Sequence, residues 1–287
     1  MSVKYFSCPD GSTIEIKQCY KECRMKERCM CLPALKAVGN QRKWTGKPSV
    51  TQLLKGTRES YLQIINDTTI DPFKQIASMI GTNSHSLMEN NSPNGWLSEV
   101  RLEDDITSGQ FDAVDLKNKT LWDFKFFGAY KIAMVLGHRP RWIADGVYQR
   151  GANKGKTKWV QKFEEGGVKD TLEIAIQLSY YRKLLKEHGV DIDKIKVQIC
   201  LRGGLDKTAK SYGLDKQAYV IDIFPLSEHL VSRYMQAKYN ALMKALQTNT
   251  MPDICKPKDR WSNDRKCKEY CNVNMFCPHY IENYKEN

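Results

Sequence analysis

The chain has 287 residues, enough to bury a substantial core in one large α/β domain with attachments or in two small domains. Lys and Arg number 45 against 33 Asp and Glu, a surplus of 12, which favours a polyanionic partner such as nucleic acid over the bland alternative of a solvated basic surface. The start, Met1 to Cys8, lacks the apolar core of a signal peptide, and no run reaches the roughly 18 apolar residues of a membrane span, so a soluble, cytoplasmic protein with no membrane partner is expected.

Ten cysteines punctuate the chain, nine of them in its two end segments. In the first module, expected over 1–40, Cys8, Cys19, Cys23 and Cys29 are separated by ten, three and five residues, with Cys31 just beyond. The pattern returns in the last module, expected over 249–287, where Cys255, Cys267, Cys271 and Cys277 are separated by eleven, three and five. In a reducing compartment, four thiolates at short spacings suit tetrahedral zinc or an iron-sulfur cluster better than disulfides. Spacing leaves open which metal each quartet takes and whether Cys31 replaces Cys29. It also leaves open a composite cluster that joins one N-terminal cysteine to three C-terminal ones.

A basic linker over about 41–47 leads to the central part, expected over 49–248. Ser49 or Thr51 caps a helix running through Leu53, Leu54, Tyr61, Ile64 and Ile65. A second helix starts at Asp71-Pro72, with Asp71 as cap; Phe73, Ile76, Ala77 and Ile80 repeat at helical spacing and His85 falls near its far end. Strands follow over about 97–103, 109–116 and 120–127, the last two forming a hairpin about Lys117-Asn118-Lys119.

The third of these strands carries the chemistry. Strand side chains alternate, so Trp122, Phe124 and Phe126 take one face while Asp123 and Lys125 share the other. A buried carboxylate costs several kcal/mol unless it is neutralised or holds a cation, and a divalent metal between Asp112 and Asp123 satisfies both. Lys125 then lies beside the substrate oxygens, an arrangement suited to phosphodiester hydrolysis assisted by Mg²⁺ or Mn²⁺. Ahead of this motif His85 becomes a candidate ligand, and Glu99 either completes the acidic site or is a surface carboxylate.

From 137 to 167 the chain is basic, aromatic and glycine-bearing, with Arg139, Arg141, Trp142, Arg150, Lys154, Lys156, Lys158 and Trp159. It reads as a mobile insertion near the site, its cations gripping phosphates and its interleaved indoles stacking on unpaired bases, or else as a solvated loop. A helix over about 170–188 places Gln177 and Tyr181 one turn apart on the same face, where they can reach a substrate together. Strands near 194–201 and 218–223 and a long helix over about 227–247 complete this part. Cys200 reads as an ordinary buried strand residue, and His279 as a weaker ligand candidate beside Cys277.

In this order, His85, Gly109-x-x-Asp112, Asp123-x-Lys125 and Gln177-x-x-x-Tyr181 resemble the PD-(D/E)xK nuclease superfamily, specifically its RecB-like exonuclease branch, over about residues 49–201. The group Cys267, Cys271 and Cys277 is similar to the trio with which CRISPR-adaptation exonucleases and AddB-type helicase-nuclease subunits bind a 4Fe-4S cluster, one further cysteine coming from before the core. Two departures stand out: the first gap here is three residues where the family commonly has two, and this chain has a full quartet at each end.

The resemblance implies an α/β, restriction-endonuclease-like core, a central mixed sheet flanked by helices, with cysteine-rich modules at both termini. It implies hydrolysis of DNA with His85, Asp112 and Asp123 on Mg²⁺ or Mn²⁺, Lys125 positioning or activating water, and Gln177 and Tyr181 supporting substrate binding. An exonuclease is the leading expectation. A structure-specific endonuclease and a non-catalytic protein that binds DNA or a partner are the others, the intact Asp112, Asp123 and Lys125 set arguing against inactivity. The N-terminal quartet has no counterpart in the family pattern and reads as a zinc knuckle contacting DNA or a partner. Recombination, replication or defence, in a phage or other mobile element, is the expected setting, with a helicase or recombination protein as partner.

Overall fold

The computed structural model describes residues 2–25, 27–41 and 44–285. The chain opens with strands β1 (Ser2–Ser7) and β2 (Thr13–Glu15) and helices α1 (Ile16–Lys21), α2 (Leu32–Gly39), α3 (Val50–Leu54) and α4 (Thr57–Ile65). Next come β3 (Asp67–Ile70), α5 (Ile76–Asn90), β4 (Trp96–Ser98), β5 (Arg101–Glu103), β6 (Ser108–Gln110), β7 (Ala113–Asp115) and β8 (Thr120–Phe127). Then follow α6 (Ala129–Leu136), β9 (Arg139–Val147), β10 (Thr157–Glu164), α7 (Leu172–Glu187), β11 (Lys194–Leu201), α8 (Lys207–Ser211), β12 (Ala218–Asp222) and α9 (Glu228–Thr248), before short helical turns and a last helix, Pro278–Tyr284. Two compact units result, neither continuous in sequence: the first spans 1–91, 101–110 and 227–287, the second 92–100 and 111–226.

The second unit is a mixed α/β layer structure. Its main sheet has five strands in the order β12-β11-β8-β7-β4. β8 and β11 are parallel and the other neighbours antiparallel. A parallel pair needs a crossover, and the segment carrying α6 and α7 supplies it. Both helices lie against the sheet, α7 on β8 and α6 on β11. Ile174, Leu178, Tyr181 and Leu185 recur at helical spacing on α7, and all are buried along with Val114, Leu121, Val197 and Ile199 of the sheet. The expected central mixed sheet flanked by helices is therefore present.

The first unit holds a small sheet, β2-β1-β3, with β1 antiparallel to β2 and parallel to β3. In the same unit α3 and α4 pack on α9, burying Val50, Leu53, Tyr61 and Leu62 together with Val231, Met235 and Leu242.

Three expectations change. The single helix over 49–65 is two helices, broken at Lys55-Gly56. Ser49 caps the first through a reciprocal box with Gln52, Gln52 N–H donating to Ser49 Oγ at 3.1 Å and Ser49 N–H to Gln52 Oε1 at 3.2 Å. The strands expected over 97–103 and 109–116 are each cut in two, because β4 pairs with β7 while β5 pairs with β6. At the first cut Glu99 takes a left-handed backbone with φ of 52°, which costs a non-glycine residue about 1 kcal/mol or more. The basic insertion is an ordered hairpin of β9 and β10, paired from Arg139↔Glu164 to Val147↔Thr157 with one bulge.

Candidate active site

β8 is the middle strand of the five, so its side chains are enclosed from both edges. Alternation separates its two faces: Trp122 stacks on Trp96 of β4 with 6.4 Å between ring centres, while Asp123, only 2% exposed, points the other way. Lys125 Nζ donates to Asp123 Oδ1 at 2.7 Å. Asp123 Oδ2 is buried with no hydrogen-bond partner. A half-satisfied carboxylate in a sheet interior is expensive, and few such atoms persist without a reason.

Asp112 sits in the break between β6 and β7 instead of within a strand. Its Oδ2 accepts the Phe124 N–H at 2.6 Å, and its backbone oxygen accepts the Glu99 N–H at 2.9 Å. These bonds tie Asp112 to the strand that carries Asp123 and bring Glu99 alongside. A carboxylate oxygen of Glu99 and one of Asp112 lie within 4.8 Å of each other. Glu99 and Asp112 offer the oxygen ligands that a hard divalent cation takes, and the orphaned Asp123 Oδ2 lies on the strand to which Asp112 is bonded.

The remaining groups frame these acids. Burial works against the Lys125 charge, yet the Asp123 and Asp112 carboxylates outweigh it and hold the ammonium above the ordinary lysine range. Tyr181 is buried on α7 and hydrogen-bonded to Gln177; burial pushes its hydroxyl up, against the opposing effects of Gln177 and the Lys125 cation. The expected Gln177 and Tyr181 pair thus stands beside the acid-lysine strand. His85 is half-buried on α5, which belongs to the other unit.

The basic residues of the insertion are distributed over the hairpin. Arg139, Arg141 and Lys158 lie on its strands, Arg141 paired with Glu164 at 3.1 Å and Lys158 with Asp145 at 2.9 Å. Lys154 and Lys156 lie in the connecting loop, where Lys156 Nζ donates to Asn153 Oδ1 at 3.3 Å.

In the first unit Cys255, Cys267, Cys271 and Cys277 line one cavity, together with Arg58 and Glu59 of α4 and with Lys266. Among the described residues no N-terminal cysteine lines it. Burial and the Glu59 carboxylate push the Cys271 thiol up to about 12; burial raises Cys255 and Cys267 as well. Arg58 Nη1 donates to Cys277 Sγ at 3.8 Å, and Lys266 Nζ pairs with Glu59 at 2.6 Å. His279 lines the same cavity, its Nε2 at 2.6 Å from Asp264 Oδ2.

The N-terminal cysteines also gather. Cys8 lies in the β1–β2 turn, its N–H donating to Ser12 O at 2.7 Å. Cys19 is buried on α1, with Cys8 and Cys29 packed against the same apolar cluster of Phe6, Ile14 and Leu35. Burial first, then the neighbouring Cys23, Cys29 and Cys8, raise the Cys19 thiol. Arg28 folds the following loop back by donating to the Cys19 oxygen at 2.5 Å and to the Tyr20 oxygen at 3.3 Å. Cys31 is exposed, at the start of α2, and Cys200 is half-buried on β11.

The sequence did not reveal Glu59, Lys266 or Arg58 as the surroundings of the C-terminal thiols. Glu59 and Lys266 stand 207 positions apart, and no local pattern joins them.

No family model matches the chain, and no curated protein matches it. Solved structures give distant likenesses. SSO0001 aligns with a TM-score of 0.40 at 15% identity, over 85% of this chain and 94% of its own. A phage related exonuclease from Haemophilus somnus 129PT aligns with a TM-score of 0.41 at 12% identity, over 71% of this chain and 96% of its own. Neither likeness is deep enough to carry an inference about activity.

Proposed function

We propose that the chain is a metal-dependent DNA nuclease, an exonuclease working from ends, with a restriction-endonuclease-like core. The observation that carries this reading is the buried, orphaned Asp123 Oδ2 next to the Lys125 ammonium, with Asp112 tied to the same strand. Asp112, Asp123 and Glu99 hold Mg²⁺ or Mn²⁺, and the sequence order adds His85 as a further ligand. When bound, such a cation supplies Lewis acidity toward phosphate oxygens. Lys125, held by Asp123, presents a fixed positive charge where negative charge develops on the phosphodiester. Asp112, anchored on the Phe124 N–H, keeps the acidic pair in register. Tyr181 and Gln177, locked to each other on α7, orient the substrate phosphate or the groups around it. The C-terminal quartet holds an iron-sulfur cluster and the N-terminal quartet zinc, both structural. DNA is the partner, joined by a helicase or recombination protein.

Digestion of end-labelled linear and closed circular DNA with Mg²⁺ or Mn²⁺ tests this. We expect metal-dependent loss of linear DNA alone and its disappearance in Lys125→Ala. Cutting of circles would move the reading to an endonuclease, and no cleavage of any substrate, with metal bound at the cysteines, would leave a binding protein.

A further inference from the structure

The β9–β10 hairpin sorts its side chains by character. Directly opposed residues of an antiparallel pair share a face. The register Phe163↔Pro140, Gln161↔Trp142 and Trp159↔Ala144 therefore puts Phe163, Trp142 and Trp159 on one side. Glu164↔Arg139, Lys162↔Arg141 and Val160↔Ile143 share the other, where the ion pairs Arg141–Glu164 and Lys158–Asp145 form. Indoles and paired cations are thus on opposite faces, not interleaved as the sequence suggested.

The aromatic face has a fixed root and a bare outer part. At the root Phe163 meets Tyr130 and Tyr212 edge-on, with ring centres 6.2 and 4.7 Å apart, and Gly167 N–H donates to Gly137 O at 2.7 Å. Beyond it Trp142 is 62% and Trp159 57% exposed. Single exposed apolar residues are commonplace, but two indoles on one face of a two-stranded ribbon bury little and stabilise little. They are diagonal neighbours across the strands, about 7–8 Å apart along the backbone, so one flat ring can reach both indoles. Charge complementarity identifies the ligand that brings such a ring: residues 137–167 hold seven Lys and Arg against three Asp and Glu, with Arg150, Lys154 and Lys156 in the loop at the tip.

We infer that the Trp142 and Trp159 face binds an unpaired nucleic-acid strand, a base stacking on the indoles while the tip cations hold the backbone phosphates. A duplex has its bases already stacked and paired, and offers these rings a face only at its end pairs. The inference deepens the nuclease reading, on which it rests for the polymer's identity, by making a single strand the substrate form this unit grips.

Fluorescence anisotropy of a labelled single-stranded oligonucleotide and of the same sequence as a blunt duplex, in buffer without added divalent cation, tests it on the full chain. Trp142→Ala and Trp159→Ala should each weaken single-strand binding about tenfold and leave duplex binding within about twofold. Trp142→Phe and Trp159→Phe should keep most of the affinity, because any aromatic face stacks. Both side chains are exposed, so unchanged melting temperatures should accompany the loss. Equal loss for single strand and duplex, no loss at all, or a loss that Phe does not restore would overturn the inference. The two readings fail separately: normal cleavage with indole-independent binding sinks only this one, and indole-dependent binding without cleavage in any metal sinks only the nuclease.

Discussion

At the scale of single residues, alternation along one strand was the most legible signal. Asp123 and Lys125 are two apart, so their shared face follows from the pleat alone, and the 2.7 Å contact between them needs no long-range information. Asp112 was legible as an acid but not as a residue in a strand break, because that break depends on β5 and β6 pairing with each other while β4 and β7 pair in the sheet. The cysteines divide in the same way. Spacing picked the quartets, but only packing separates Cys19, buried among Phe6, Ile14 and Leu35, from Cys31, exposed at the start of a helix. Metal content of anaerobically purified protein, zinc and iron counted together, should therefore fall by one centre in Cys19→Ser and by none in Cys31→Ser. Retention of the full content in Cys19→Ser would remove the N-terminal site.

At the scale of elements, the sequence located most helices and strands within a few residues. It missed the break at Gly56, where an added Cβ would run into Cys255 Sγ. That glycine lies between α3 and α4, and the thiol it makes room for comes from a segment far away in the chain, so the helical period could not announce it. The contact of α4 with the C-terminal segment is also polar: Glu59 pairs with Lys266, and Gln63 Nε2 donates to Asn272 Oδ1 at 2.8 Å. Both members of the ion pair are largely buried, with side chains 8% and 20% exposed. Breaking such a pair leaves an uncompensated charge. Glu59→Gln should cost about 3–5 kcal/mol in urea unfolding, and Glu59→Gln with Lys266→Met should recover part of it. A loss below about 1 kcal/mol would show that the pair is solvated and that α4 does not anchor the cysteine segment.

At the scale of the whole molecule, charge and cysteine pattern suggested a nucleic-acid partner and metal centres, which stand as proposals, and carried no sign of the division into these two units. That division follows from contacts far apart in sequence, since 101–110 and 227–287 join 1–91. Among the described residues no helix is long and apolar enough to cross a membrane. The proposed DNA binding should decline steeply with salt, given the surplus of 12 positive charges, yet charge alone does not distinguish an enzyme from a binding protein. Metal binding at Asp123, as proposed, would. Thermal unfolding with and without Mn²⁺, run beside the cleavage reaction on wild type and Asp123→Asn, is the most direct measurement. A ligand that binds only the folded chain stabilises it by about 2.7 kcal/mol at a hundredfold excess over its Kd. Wild type should gain several degrees from Mn²⁺ and cleave DNA, whereas Asp123→Asn should fold, gain nothing from Mn²⁺ and leave DNA intact. An Asp123→Asn chain that keeps both the Mn²⁺ stabilisation and the cleavage would show that the buried carboxylate is not the seat of the metal.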